Sequence, residues 1–363
     1  MIEVIRYAHQ RLSWIDQRFL PLKEMWVETN DYRRVIDAIK TLAIRGAPLI
    51  GVAAAYTAAL GAYSFKGRKK EFGRYFYKMI QELESSRPTA VNLFYASNLI
   101  RKAYEELSET HSVLEVAQAF ESIAEGLHRK EIENCDRMSD CGAEYLERRF
   151  REKGKRKLSI LTHCNTGALA TGGNGTALGV IKEAYLRGIV DKVYTTETRP
   201  LGQGLRLTAW ELLKEKIPFY SISDSSAAFL MQKGLIDCAI TGADRIAKNG
   251  DTANKIGTYS HALCAVHHQI PFFIAAPIST FDFTISDGSE IVIEERDGEE
   301  LRRFKHTRLA LERTPVLNYA FDVTPVRFIE AFFTEEGVIL PKNLNELSIR
   351  YDQSNSFEKY APV

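Results

Sequence analysis

Two stretches place residues able to do acid–base or nucleophilic chemistry directly after short apolar runs. In the first, Thr162-His163-Cys164-Asn165-Thr166-Gly167 follows the run that starts at Leu158, and a loop with Gly172, Gly173 and Gly175 precedes a helix expected from Thr176. Glycines let backbone N–H groups approach a ligand, and the helix amino end behind them favours an anion. The segment reads as an oxyanion or phosphate site beside a thiol, or as a simple turn with Cys164 as a small buried hydrophobe. In the second, Thr241-Gly242-Ala243-Asp244-Arg245 is followed by Asn249-Gly250-Asp251 and Asn254-Lys255-Ile256-Gly257, so that an acid and an ammonium share one loop before a helix. Asp244 suits acid–base work in a desolvated setting and Lys255 suits a phosphate; the alternative is a surface Asp–Arg pair with an Asn-Gly turn and a helix cap.

A third stretch, Glu197-Thr198-Arg199-Pro200-Leu201-Gly202-Gln203-Gly204-Leu205-Arg206, offers Gln203 to sugar hydroxyls and two guanidiniums to an anion, unless the arginines pair with Glu197. Arg45-Gly46-Ala47-Pro48 and Arg87-Pro88-Thr89-Ala90 each set an arginine beside proline-stiffened backbone, which fits a phosphate clamp or plain solvation. Three rival chemistries fit less well. Gly173-x-Gly175 is followed by glycine only at 179, so the dinucleotide fingerprint is incomplete, although Glu197 stands where a ribose-binding acid would. His163, His261, His267 and His268 have no metal-ligand spacing. A Cys–His hydrolase needs an imidazole aimed at the thiol, and His163, next to Cys164 in an extended strand, would face the other way.

The elements that position these residues change character along the chain. From Asp31 to about Phe150, apolar residues recur at helical spacing through Val35–Leu42, Phe72–Leu83 and Val113–Leu127, after a short β-rich start over Met1–Asp16. The charged stretch Arg148–Lys157 reads as a solvated helix end and connector. Beyond it, strand-length runs at Leu158–His163, Lys192–Glu197, Pro218–Ser223, Ile236–Ile240 and Pro271–Ala276 alternate with helical segments at Thr176–Arg187, Leu207–Lys216, Ser226–Lys233 and Thr258–Gln269. Repeated β-α-β predicts a Rossmann-like, doubly wound parallel sheet with ligands beyond the strands' carboxyl ends. The expected organisation is a mainly helical N-terminal domain over 1–150 with a small β start, a Rossmann-like catalytic domain over 151–340 and a variable tail over 341–363, within the α/β class.

With 48 basic against 47 acidic residues, the chain has no global field to hold a polyanion, and nucleic acid is not an expected partner. Five cysteines without CxxC spacing argue against a disulfide framework and a zinc site. The amino terminus lacks a secretion signal, and the weakly polar run Ala47–Leu60 falls short of the roughly 20 residues that span a bilayer. A soluble cytoplasmic protein without a membrane partner is expected.

On these motifs the chain resembles the family of 5-methylthioribose 1-phosphate isomerases, the aldose–ketose isomerases of methionine salvage. RGAPLIGVAAA, RPTAVNLFYA, ILTHCNTGALATGGNGTALGVI, TETRPLGQGLRLTAWEL, TGADRIAKNGDTANKIGTY, PFFIAAPISTFD, IEERDGEEL and AFDVTP carry the likeness in order. The resemblance implies Cys164 and Asp244 as the catalytic pair and Arg45, Gly46, Ala47, Arg87, Gln203, Asn254 and Lys255 as contacts to a small phosphorylated sugar. It also implies a homodimer with no cofactor and no metal. Asp244, in a dry pocket, would give a proton to the ring oxygen while Cys164 supports hydrogen movement between carbons 2 and 1. Gly202, Leu205, Asn174 and Tyr319 depart from the family's usual residues and bear on pocket shape. Ribose 1,5-bisphosphate isomerases and the regulatory subunits of the translation-initiation exchange factor look similar in the RGAP and GAD segments and are the alternatives.

Overall fold

The computed structural model of the chain describes residues 2–88, 90–304 and 307–354, the side chains of 352–354 excepted. They fall into two compact units, 2–133 with 168–174, and 134–167 with 175–354.

In the first unit β1 (Ile5–Ala8), β2 (Arg11–Ile15) and β3 (Trp26–Thr29) form an antiparallel meander. Helices α1 (Tyr32–Lys40), α2 (Ala47–Ser64), α3 (Lys69–Glu84), α4 (Val91–Leu107) and the long α5 (Val113–Arg151) follow. The Asp31 carboxylate starts α1 by accepting the Arg33 N–H at 2.9 Å. By length and composition α2 is apolar enough to cross a membrane, yet Leu49–Ala62 is buried throughout, with α1, α3 and α4 packed on it. A helix apolar on every side is the central helix of its unit. From Asn134 onward α5 belongs to the second unit.

The second unit alternates strands and helices: β4 (Leu158–Thr162), β5 (Val190–Thr196), β6 (Phe219–Ile222), β7 (Cys238–Thr241), β8 (Arg245–Ala247), β9 (Thr252–Lys255) and β10 (Phe272–Ala275), with α7 (Ala177–Leu186), α8 (Ala209–Lys214), α9 (Ser226–Gln232) and α10 (Thr258–His267) between them. The short α6 (Ala168–Thr171) is part of the first unit. After β10 come β11 (Phe281–Asp282), α11 (Glu299–Arg302), β12 (Arg303–Phe304), β13 (Thr307–Arg308), β14 (Phe321–Thr324), β15 (Ala331–Thr334), β16 (Gly337–Ile339) and α12 (Leu344–Ser354). The main sheet has the order β16-β15-β10-β7-β4-β5-β6, parallel except for the antiparallel edge strand β16. Counted from β4, strands are added outward through β5 and β6 on one side and through β7, β10 and β15 on the other. The order therefore reverses between β4 and β7, where a doubly wound sheet opens a crevice.

Strand alternation assigns the two faces. Leu158, Ile160, Cys238, Ile240, Phe273 and Phe333 pack with α7 and the end of α5, whereas Leu161, Ala239, Phe272, Ile274 and Phe332 pack with α9, α10 and α12. Burying each leucine, isoleucine or phenylalanine among these is worth about 1.5–3 kcal/mol, so sheet register is strongly specified. Gly188 closes α7, with Gly188 N–H on Tyr185 O and Ile189 N–H on Ala184 O, and Gly234 closes α9 in the same way.

The alternation expected from sequence is present from β4 to β10. A second sheet, β11-β8-β9-β14, was not expected, nor were the strands after β10. These strands are two to four residues long, too short for periodicity to register. Of the tail expected over 341–363, residues 355–363 lie outside the described residues. Leu344 and Leu347 of α12 are buried in the sheet's α9–α10 face.

Candidate active site

Cys164 stands two residues beyond β4, buried, with φ of +65°. A non-glycine residue there is strained and persists only when its surroundings hold it. Both its backbone groups are held: the N–H donates to Thr198 Oγ1 at 2.9 Å, and the carbonyl accepts from Thr208 Oγ1 at 2.6 Å. Thr208 ends the π-helical turn Gly204–Thr208, a wide turn of the kind often found at functional sites. Asn165 donates to Glu211 Oε1 at 2.8 Å and to Thr208 Oγ1 at 3.3 Å, and Glu211 is fully buried. Neither Thr208 nor Glu211 drew notice in the sequence, because hydroxyls and acids on a helix face are ordinarily solvated; only burial distinguishes them.

His163 differs from its expected geometry. It does not alternate with Cys164 along a strand, since β4 has ended and Cys164 is left-handed. Its ring contacts Thr196 Oγ1 through Nδ1 at 2.6 Å and the Ile256 carbonyl through Nε2 at 2.9 Å. Burial pulls its pKa down to about 4. The ring of His261, also buried and lowered to about 3 by burial, lies 4.8 Å away.

Asp244 follows β7, the strand beside β4, in a register pairing Ile160 with Cys238 and Leu161 with Ala239. The two post-strand loops touch, since a Cβ placed on Gly242 would lie 2.8 Å from Thr166 Cγ2. Cys164 and Asp244 thus lie beyond the carboxyl ends of adjacent parallel strands, on either side of the order reversal. The expected dry setting is not found around Asp244, which is exposed whereas Cys164 is buried. It enters the β8–β9 hairpin, and its N–H donates to Ala253 O at 2.9 Å.

Asn254 and Lys255, expected in a loop, are instead buried on β9, paired with β8 on one side and β14 on the other. The Asn249-Gly250 turn that hid this hairpin is a familiar hairpin signal. Asn254 Nδ2 donates to Thr258 Oγ1 at 3.0 Å, and Lys255 Nζ sits 4.7 Å from the Phe321 ring centroid. Arg245 pairs with Asp282. Asp322 accepts the Gly257 and Tyr259 N–H groups at 2.7 and 3.0 Å, capping α10 from β14, and burial raises its pKa to about 6.

Gln203 is 8% exposed and its Oε1 is buried without a hydrogen-bond partner. A buried acceptor left open is costly and points to a ligand donor. Arg199, in the same loop, is occupied by the Pro200 and Leu301 carbonyls at 2.7 and 3.1 Å. In the first unit Arg45, Gly46 and Ala47 form the entry to α2, and Gly46 has φ of +96° with Ala170 so close that a Cβ would sit 2.4 Å from its carbonyl. Arg87 precedes α4, whose start packs against α2 at Gly51 and Asn92, so both arginine-bearing turns lie at one end of this unit. Thr89 of the second turn lies outside the described residues. Among the described residues no three His, Cys, Asp or Glu side chains gather as metal ligands.

The model of the initiation factor 2 subunit family matches residues 43–341. Methylthioribose-1-phosphate isomerase of Chlorobaculum tepidum is 53% identical, over 95% of this chain and 98% of its own length. The chain belongs to the initiation factor 2 subunit family, with the methylthioribose-1-phosphate isomerases. Members of similar sequence include the isomerase of that name from Dehalococcoides mccartyi, 48% identical over 93% of this chain and 99% of its own length. Among solved structures in the family, the 5-methylthioribose 1-phosphate isomerase of Pyrococcus horikoshii matches with a TM-score of 0.89 and 39% identity, over 97% of this chain and 96% of that one. A structure described as translation initiation factor eIF-2B, subunit delta, from A. fulgidus matches at 0.83, also 39% identical, over 97% of this chain and 99% of that one.

Proposed function

We propose that the chain is an aldose–ketose isomerase converting 5-methylthioribose 1-phosphate to 5-methylthioribulose 1-phosphate in methionine salvage. The observation that carries the reading is the thiol and carboxyl at the ends of neighbouring parallel strands, in a chain 53% identical to an isomerase of that name.

The substrate's anomeric oxygen is esterified, so the ring opens only by breaking the bond between carbon 1 and the ring oxygen, which leaves with a proton. Asp244 gives that proton. Being exposed, it takes up a proton from water, and the sugar that covers it desolvates the carboxyl and so favours its protonated form. Cys164 supports hydrogen transfer from carbon 2 to carbon 1, and the carbon-2 hydroxyl gives its proton to the Asp244 carboxylate left by ring opening, which yields the ketone and restores the acid. Gln203 Oε1 takes a hydrogen bond from a sugar hydroxyl. Asn254 and Lys255 in the second unit, and Arg45, Gly46, Ala47 and Arg87 in the first, are the remaining proposed contacts to sugar and phosphate. A cytoplasmic homodimer belongs to the same reading.

Incubation with 5-methylthioribose 1-phosphate, without added metal or nucleotide, is expected to give a new ketone signal by carbon NMR. No turnover of this sugar alongside turnover of ribose 1,5-bisphosphate would reassign the substrate. No turnover of either, with a stable complex to other chains by native mass spectrometry, would favour the initiation-factor reading that the A. fulgidus structure's description supports.

A further inference from the structure

The buried imidazole beside Cys164 has both ring nitrogens engaged, and the partners fix where its proton sits. The Ile256 carbonyl can only accept, so Nε2, 2.9 Å away, carries the hydrogen. Burial keeps the ring neutral, holding its pKa down to about 4, so Nδ1 is a bare acceptor. Thr196 Oγ1, 2.6 Å from Nδ1, must then donate its one proton there. Thr198 Oγ1 directs its own proton back onto Thr196, with Oγ1 at 3.2 Å and the carbonyl at 3.3 Å. Its lone pair takes the Cys164 N–H at 2.9 Å, a group that can only donate.

A donor-only amide at one end and an acceptor-only carbonyl at the other are thus joined by hydrogen bonds running in one direction. His163, Thr196 and Thr198 are fully buried, and the chain spans two residues in left-handed backbone, Cys164 at φ +65° and Thr198 at φ +62°. Its far end is the residue after Lys255. We propose that His163 is a positioning residue that, through Thr196 and Thr198, fixes the backbone of Cys164 and ties it to the strand end carrying Lys255. The proposal rests on the catalytic reading of Cys164 and adds a role that this reading does not assign. The ring touches no reacting atom; it acts by orienting the turn that presents the thiol.

The test pairs Thr196→Val, which keeps shape and removes the hydroxyl, with Thr196→Ser, which keeps the hydroxyl. The expected result is a kcat at least tenfold lower in Thr196→Val with KM within about twofold of the parent, and recovery of most of the loss in Thr196→Ser. A role in packing alone predicts the opposite ranking, since serine loses the methyl that valine keeps. Independently of any variant's folding, long-range ¹H–¹⁵N spectra of the parent protein should show His163 as the Nε2–H tautomer. An Nδ1–H tautomer, or an undiminished kcat in Thr196→Val, overturns the proposal. Undiminished kcat in Cys164→Ser overturns the catalytic reading beneath it, and the tautomer spectrum separates the two failures.

Discussion

Replacing Gly175 by alanine should damage the second unit more than the same change at a glycine with open space around it. Gly175 has φ of +99°, and a Cβ there would lie 2.5 Å from Gly167 Cα and 2.6 Å from Thr166 O. Both are backbone atoms that no rotamer change can move. Left-handed backbone costs alanine roughly 1–2 kcal/mol, and forcing atoms into a packed site adds about 1–3 kcal/mol, giving about 2–5 kcal/mol. Gly188, with φ of +76° and nothing within 4 Å of its Cβ position, isolates the first contribution. For domains of roughly this size 1 kcal/mol moves Tm by about 2–4 °C, so Gly188→Ala should fall by about 2–8 °C and Gly175→Ala by about 4–20 °C. Scanning calorimetry on both variants side by side measures the difference. Turnover should also fall in Gly175→Ala, because Thr166 and Gly167 continue the turn that begins at Cys164. Equal Tm values for the two variants would refute the argument that the collision, rather than the dihedral angle, dominates.

Cys164→Ser and Asp244→Asn should each lower kcat by about 10²-fold or more, the usual scale for a positioned proton-transfer group; near-normal turnover in both would remove the pair from the chemistry. Gln203→Leu should raise KM by up to about tenfold through loss of one hydrogen bond, while Tm holds or rises because an unsatisfied buried acceptor is gone; a fall in Tm with unchanged KM would contradict this. Acid stability should fall because burial lowers more imidazoles than it raises carboxyls. His163 and His261, lowered by burial from 6.5 to about 4 and about 3, bind fewer protons folded than unfolded below pH 6.5, so each loses stability on acidification. Asp322, raised by burial from 3.8 to about 6, acts in the opposite sense between pH 6 and 4. These three groups leave a net loss of about 1.4 kcal/mol per pH unit in that window, and His128, also lowered by burial, adds to it. Urea midpoints from pH 6 to 4 should fall accordingly, and the slope should be shallower in His261→Gln.

Sequence periodicity located the sheet that places the thiol and the carboxyl, because continuous apolar runs such as Ile160–Leu161 and Phe272–Ala275 are buried on both faces. It located the strand ends for the same reason, and with them Cys164, Gln203 and Asp244. It did not reveal that Asn254 and Lys255 lie on a strand, because β8 has three residues and β9, Thr252-Ala253-Asn254-Lys255, carries no apolar run. Nor did it reveal the hydroxyls holding Cys164: Thr196, Thr198 and Thr208 matter through directed contacts across separate loops, which linear spacing does not encode. The solvation of Asp244 was likewise beyond spacing, since it depends on what packs over the hairpin entry.

The glycine-rich segment 168–174 departs from the sheet at Gly167 and returns at Gly175, where Thr176 N–H meets Thr166 O at 2.8 Å and Leu178 N–H meets Thr166 Oγ1 at 3.2 Å. The excursion is therefore sealed at its base by contacts that involve none of its own residues. Over its length, however, it is buried and pinned, with Ala170 pressed against Gly46 and the Leu169 carbonyl accepting from Gln17 Nε2 at 2.7 Å, so a substitution within it weakens the packing of the first unit while the turn bearing the thiol and the start of α7 stay stapled together.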